Sequence, residues 1–238
     1  MSVSSISLSA LVIAFIPVAA VLVLLFVWSE RSEAKTSAYG VARMLLQLLA
    51  VGYVLNFIFA TDSSLVVAGV LFVMLAAASW IALRTIAEQR AKLLLPAMST
   101  IGVTSIAVLA LITQGVLQVD PWYEPRVLLP LGGMVLSACM NAVSLAADRV
   151  ESELAAGTGA KSSRRLALKT ALIPVTNSLF AVGLVSLPGM MTGQILSGVS
   201  PLIAARYQIV VMCMLFGASG LAAAAYLLLH GRLASQRA

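Results

Sequence analysis

One histidine, two cysteines and nine acidic residues are all the strong metal-ligating and acid–base side chains in this 238-residue chain. His230 stands alone, so it forms neither an H-E-x-x-H zinc pair nor a serine–histidine dyad. Cys139 and Cys213 lie in separate apolar runs, without the paired spacing of a metal knuckle or disulfide framework, and read as small buried hydrophobes. No G-x-x-x-x-G-K-[ST] loop is present to hold nucleotide phosphates. The acidic residues fall at the ends of apolar runs. That excludes a pair of intramembrane aspartates for proteolysis and leaves no mid-membrane ionisable residue to couple a driving ion. The common hydrolase and metalloenzyme chemistries are therefore not available to this chain, and no set of metal ligands is legible in it.

What remains is apolar. Hydrophobic residues make up 61% of the chain and charged residues 10%, against about 45–50% and about 25% in soluble domains. Such a composition needs lipid as solvent, and roughly 20 apolar residues make one crossing. Seven apolar runs meet that ruler, at about 6–28, 41–60, 65–84, 93–117, 127–147, 171–191 and 204–229. No Lys or Arg precedes the first, which also exceeds the about 7–15 residues of a signal-peptide core, so a retained helix is expected. Of the fifteen Lys and Arg residues, only Arg126 and Arg206 fall outside one alternating set of connections. Lys and Arg accumulate in cytoplasmic loops. The split predicts an all-α integral membrane protein of about seven transmembrane helices, with the N-terminus outside and the C-terminus cytoplasmic. It forms a single polytopic domain over 1–238 in the inner (plasma) membrane. The positive charge is a topology signal with a weaker attraction to lipid. No basic–aromatic interleaving supports nucleic-acid binding.

Two connections are unusual. "DRVESELAAGTGAKSSRRLALK" (148–169) is long and mixed in charge, within a cytoplasmic loop at 148–170. The fifth span is expected to continue as helix through about Ala156 and to break at Gly157–Gly159. A new helix then starts near Ser162 or Ser163, where serine caps free N–H groups. The loop either docks on a soluble partner or is a solvated linker. "LVSLPGMMTGQILSGVSP" (184–201) carries three glycines and two prolines with no charge. Pro188 interrupts a helix, and each glycine lowers helix stability by roughly 1 kcal/mol relative to Ala. The sixth span is therefore expected to end near Ser186–Pro188. The seventh begins near Ser200, with a serine N-cap and Pro201 at the first helical position. Residues 188–199, with Met190 and Met191, are too apolar for an ordinary loop. They form either a re-entrant segment near the outer mouth of a pathway or a tight outer turn packing a dimer. In the first case Gly189 and Gly193 need backbone conformations that side chains disfavour.

Polar residues within the apolar runs are candidate site residues. Ser137, Asn141, Ser144 and Asp148 recur at i, i+4, i+7 and i+11, one helical face. They line a pathway or bond neighbouring helices. Gly132 and Gly133, one turn away, permit a close helix contact. Asn177 follows Pro174 by three residues and suits bridging a kink. Gln194, Arg206 and Gln208 gather at the outer ends of the last two spans, where Arg206 meets substrate or pairs with Asp120 or Glu124. Met190, Met191, Met212 and Met214 are thioethers that favour soft ions, though methionine in an apolar segment more often packs.

A family resemblance rests on particular stretches. "NSLFAVGLVSLPGMMTGQILSGVSPLIAARYQIVVM" (177–212) closely resembles the signature of the FetB-type permease family, the membrane subunit of bacterial iron-export ABC transporters, to which plant aluminium-tolerance half-transporters also belong. "RMLLQLLAVGYVLNFIF" (43–59) and "GMVLSACMNAVSLAADRVE" (133–151) resemble the same family. "ELAAGTGAKSSRRLALKTALIP" (153–174) resembles the coupling loop of ABC permeases, with Glu153, Ala155, Ala156 and Gly157 or Gly159 at matching positions. The resemblance implies a permease with no cofactor of its own and with ATP and Mg held on a partner ABC ATPase. It also implies a homodimer of permeases and export of iron or another metal. On that reading the pathway residues are Ser137, Asn141, Ser144, Asn177, Pro188, Gly189, Met190, Met191, Gly193, Gln194 and Arg206. The ATPase contact comprises Asp148, Glu151, Glu153, Gly157, Gly159, Arg164 and Arg165. The alternative is a stand-alone secondary transporter of a small solute.

Overall fold

The structure, a computed structural model, describes residues 12–28 and 31–235. Every regular element among them is helical. The α-helices are α1 (Ile16–Trp28), α2 (Arg31–Ile58), α3 (Ser64–Ala82), α4 (Arg90–Ala110), α5 (Pro125–Ala155), α6 (Ala160–Ala181), α7 (Gly189–Leu196) and α8 (Pro201–Ser235). Among the described residues five helical stretches are long and apolar enough to cross a membrane: Arg31–Leu55, Ser64–Ala82, Ala87–Val116, Pro125–Ala155 and Pro201–Gly231. Of the first expected span, residues 6–11 lie outside the described residues, and α1 has 13 residues.

Residues up to Ala60 and residues from Thr61 form two compact units. In the first, α1 packs on α2, and the Arg31 guanidinium lies 5.3 Å from the centre of the Phe26 ring. In the second, α5 is the central helix, packed by α3, α4, α6 and α8. The reason is its buried face of small and branched residues, including Val135, Cys139, Ala142, Val143, Ala146 and Val150. Against it lie Ala97 and Ile101 of α4 and Ala218, Ala222 and Tyr226 of α8. Lipid tails give helices no hydrophobic drive toward one another, so close packing of small residues holds such a bundle. Gly132 shows how close: a Cβ there would sit 2.6 Å from Leu71 Cδ2 of α3. The expected tight contact at this glycine is therefore present. Cys139 is buried where three helices meet; Ser105 Oγ donates to its sulfur at 3.7 Å, and its Sγ–H donates to the Ala218 carbonyl at 3.5 Å. Cys213, expected to be buried, is exposed on α8.

The long hairpin matches the expected break. α5 ends at Ala155 and Gly157 takes φ +80°, a left-handed conformation that glycine adopts without strain. The restart differs from expectation. α6 begins at Ala160 with Gly159 as its extended N-cap residue. Ser163 is not a cap, because its hydroxyl donates back to the Thr158 and Gly159 carbonyls at 3.1 and 3.2 Å.

The sixth expected span is not one helix. α6 stops at Ala181, earlier than the expected Ser186–Pro188. The helix ends because the chain folds back on one carbonyl: the N–H groups of Leu184, Val185 and Ser186 all point to Ala181 O at 3.2, 2.8 and 3.1 Å, and Gly183 takes φ +84°. Pro188 then caps α7, whose far end closes through Gly198 at φ +99° and a Val199 N–H to Gln194 O bond of 3.0 Å. Ser200 behaves as expected, its Oγ accepting the Ile203 N–H at 3.4 Å ahead of Pro201. Several of the irregular segment's backbone groups are paired within it, Gly183 N–H with Ser186 O at 3.0 Å among them, as such a segment at membrane depth requires.

Candidate functional site

A cavity of about 440 Å³ lies in the second unit where α5, α6 and α8 diverge and the 182–190 segment closes over them. α5 contributes Met134, Ala138, Asn141 and Leu145, one face of the helix. α6 contributes Pro174 and Ser178, and α8 contributes Gln208, Met212 and Ser219. Ser186, Pro188, Gly189 and Met190 come from the segment between α6 and α8. Pro174 removes a backbone N–H from α6, and Ser178 Oγ donates to the Pro174 carbonyl at 3.0 Å. A second cavity of about 240 Å³ adjoins, sharing Met190 and Val211 with the first. It carries Arg126, Gln194 and Tyr207 and is bounded by the π turn Leu111–Val116 that ends α4.

The expected pathway residues divide. Asn141, Pro188, Gly189 and Met190 line the larger cavity, and Gln194 lines the smaller. Ser137, Ser144, Asn177, Met191, Gly193 and Arg206 line neither. Of the polar stripe of α5 only Asn141 reaches the cavity, because the wall face of the helix runs through Met134, Ala138, Asn141 and Leu145, and one residue is about 100° of helical rotation. Arg206 has no ion pair to Asp120 or Glu124 among the described residues. Sequence reasoning missed Ser178, Ser186 and Ser219 as wall residues. Ser178 carried no usable signal, since Pro174 leaves the Thr170 carbonyl four residues before it without a donor and not its own.

The glycine expectation is corrected. Gly193 lies inside α7 and, like Gly189, has nothing within 4 Å of an added Cβ. Positive φ occurs instead at Gly183 and Gly198. Gly193→Ala is therefore expected to be neutral or stabilising by up to about 1 kcal/mol. Gly183→Ala and Gly198→Ala each force a left-handed alanine, at about 1–2 kcal/mol. Thermal unfolding of the three variants in one detergent checks the order; a loss at Gly193 equal to that at Gly198 would contradict it.

At the far end of the bundle, Glu151 of α5 accepts from Gln89 Nε2 at 2.7 Å, and its other oxygen is 2.7 Å from His230 Nε2 of α8. The histidine is buried, and the Tyr226 ring lies 5.9 Å from it. Among the expected coupling residues, Glu151 is thus engaged inside the chain. Glu153 pairs with Arg149 and accepts from Thr158 Oγ1 at 2.8 Å. Arg164 Nε donates to the Ala160 carbonyl at 3.2 Å, and its guanidinium packs beside Gly231. Asp148, Gly157, Gly159 and Arg165 are exposed. Among the described residues no three His, Cys, Asp or Glu side chains gather to hold a metal ion.

Comparison with known proteins gives a consistent picture. The family model of UPF0014, an uncharacterised protein family, matches residues 8–233. The chain is 36% identical over 188 residues to UPF0014 membrane protein slr1647 of Synechocystis sp., covering 73% of each chain. It is 34% identical over 208 residues to the "Probable iron export permease protein FetB" of Escherichia coli, covering 79% of this chain and 76% of the relative. It is also 34% identical over 197 residues to Protein ALUMINUM SENSITIVE 3 of Arabidopsis thaliana, covering 76% and 70%. No solved structure matches the chain.

Proposed function

The chain belongs to the UPF0014 family of multi-pass membrane proteins, and from that premise we propose that it is the permease subunit of an ABC exporter. In this reading it lies in the inner (plasma) membrane with its N-terminus outside, works as a homodimer and moves iron or another metal outward. ATP and Mg are held on a separate ATPase subunit. The observation that carries the reading is the 440 Å³ cavity beneath a broken helix, because Gly- and Pro-interrupted segments mark the binding sites of transporters. The name of the Escherichia coli relative supplies the direction and the metal. Leu184, Val185 and Leu187, exposed at 91%, 84% and 66%, suit contact with lipid or with a second copy.

The α5–α6 hairpin is the docking element, and its exposed Arg165 and Asp148 are the side chains free to meet a partner. Arg165→Glu is expected to release the ATPase in pull-down without moving the unfolding midpoint, since exposed charges contribute about 0–1 kcal/mol to stability. Arg164→Glu is expected to lower that midpoint as well, because Arg164 packs on Gly231. The reading as a whole is tested in inside-out vesicles from cells making the chain with and without an ABC ATPase. ATP-dependent iron accumulation only when both are present supports it. Accumulation driven by an ion gradient without the ATPase would replace it with a secondary transporter.

A further inference from the structure

The two adjoining cavities have a chemistry that a bare metal ion does not match. Their walls carry amides, hydroxyls, thioethers and one guanidinium, and none of the residues named on them is acidic, histidine or cysteine. Iron as a bare ion favours hard nitrogen and oxygen ligands such as imidazole and carboxylate. The fixed charge is positive. The Arg126 guanidinium has no carboxylate partner among the described residues, because Glu124 turns its Oε1 to the Arg126 backbone N–H at 3.3 Å as the cap of α5. Such a wall repels a free cation and attracts a carboxylate, which a guanidinium binds with two parallel hydrogen bonds.

The wall of each cavity also includes a glutamine whose amide oxygen lacks a donor. Gln208 lines the larger cavity and Gln194 the smaller, and the Oε1 of each is buried with no hydrogen-bond partner among the described residues. Gln208 is only 7% exposed. A buried acceptor left unmade is costly, and a ligand hydroxyl supplies the missing proton. The volume of 440 Å³ lies in the range of about 300–1,000 Å³ found for organic ligands.

Resting on the metal-export reading, we infer that the cargo enters these cavities as an anionic hydroxycarboxylate complex of the metal and not as a bare ion. Hydroxyls of the complex donate to Gln208 and Gln194, and a carboxylate pairs with Arg126. The permease alone, purified in detergent, tests this by equilibrium binding with 55Fe and 14C-citrate, citrate being the probe hydroxycarboxylate. Both isotopes are expected to be retained together in constant ratio from ferric citrate, while ferrous ion without chelator is not retained. Arg126→Gln and Gln208→Leu should each weaken retention about tenfold, the loss of one good charge-assisted or buried hydrogen bond. Gln208→Leu removes an unpaired polar group, so its unfolding midpoint should not fall, and binding loss cannot be ascribed to misfolding. Iron retained without citrate overturns the inference and leaves the metal-export reading standing. Retention of neither isotope, or unchanged binding in both variants, also overturns it. The ATP-driven vesicle assay judges the export reading separately.

Discussion

Glu151→Leu is expected to lower the thermal midpoint of the detergent-solubilised protein more than any other single change at the hairpin end of the bundle. The carboxylate satisfies two partners at once, Gln89 Nε2 and His230 Nε2, each at 2.7 Å. Gln89 closes the turn between α3 and α4, Glu151 sits on α5 and His230 on α8, so one side chain ties three parts of the bundle. Leucine leaves both partners unmade, at about 1–3 kcal/mol for the buried His230 and less for the half-buried Gln89. The Glu151 side chain is 23% exposed and that of His230 8%, so the histidine bears the larger share. Glu151→Gln keeps an acceptor and should lose less. A cycle with His230→Ala should be non-additive, as expected for contacting residues. Glu151→Leu at the wild-type midpoint would mean that the contact contributes nothing.

The second large effect is on transport. Ala138→Trp places an indole in the cavity between α5, α6 and α8. Enlarging a side chain in a filled core costs typically about 1–3 kcal/mol, but here the ring enters space that already exists. The variant is therefore expected to fold, to bind the ATPase and to reduce metal transport to background. Leu65→Trp, on α3 at a position 82% exposed and on neither cavity wall, is the control and should transport normally. Full transport by a folded Ala138→Trp protein would place the pathway elsewhere.

The helical class, the membrane-length apolar runs, the break at Gly157 and the start of α8 at Ser200–Pro201 were legible in the sequence because each rests on local chemistry. Apolar length, a left-handed glycine and a serine cap need only neighbouring residues. The rest depended on contacts between distant segments. Gly183 and Gly198 carry the left-handed turns, and Gly189 and Gly193 do not. That choice is made by which carbonyl the chain folds back on, Ala181, and not by glycine spacing. The α5 stripe coincides with the cavity face only at Asn141, since only the packing of α6 and α8 decides that Ala138 and Asn141 face the cavity and Ser137 and Ser144 do not. His230 looked solitary because its partner Glu151 lies 79 residues away in the chain.

The central claim is that the cavity walled by Asn141, Ser178 and Gln208 is the transport path, opening alternately under the control of ATP. Thiol labelling tests it most directly. Cysteines introduced singly at Asn141 and Ser178, with Cys213→Ser removing the exposed native thiol, are exposed to a membrane-impermeant maleimide in the assembled complex. The account predicts labelling from the cytoplasmic side without nucleotide and from the outer side when the ATPase is trapped with ATP. Protection of both positions from both sides in both states, while Thr158→Cys on the hairpin labels normally, would contradict it.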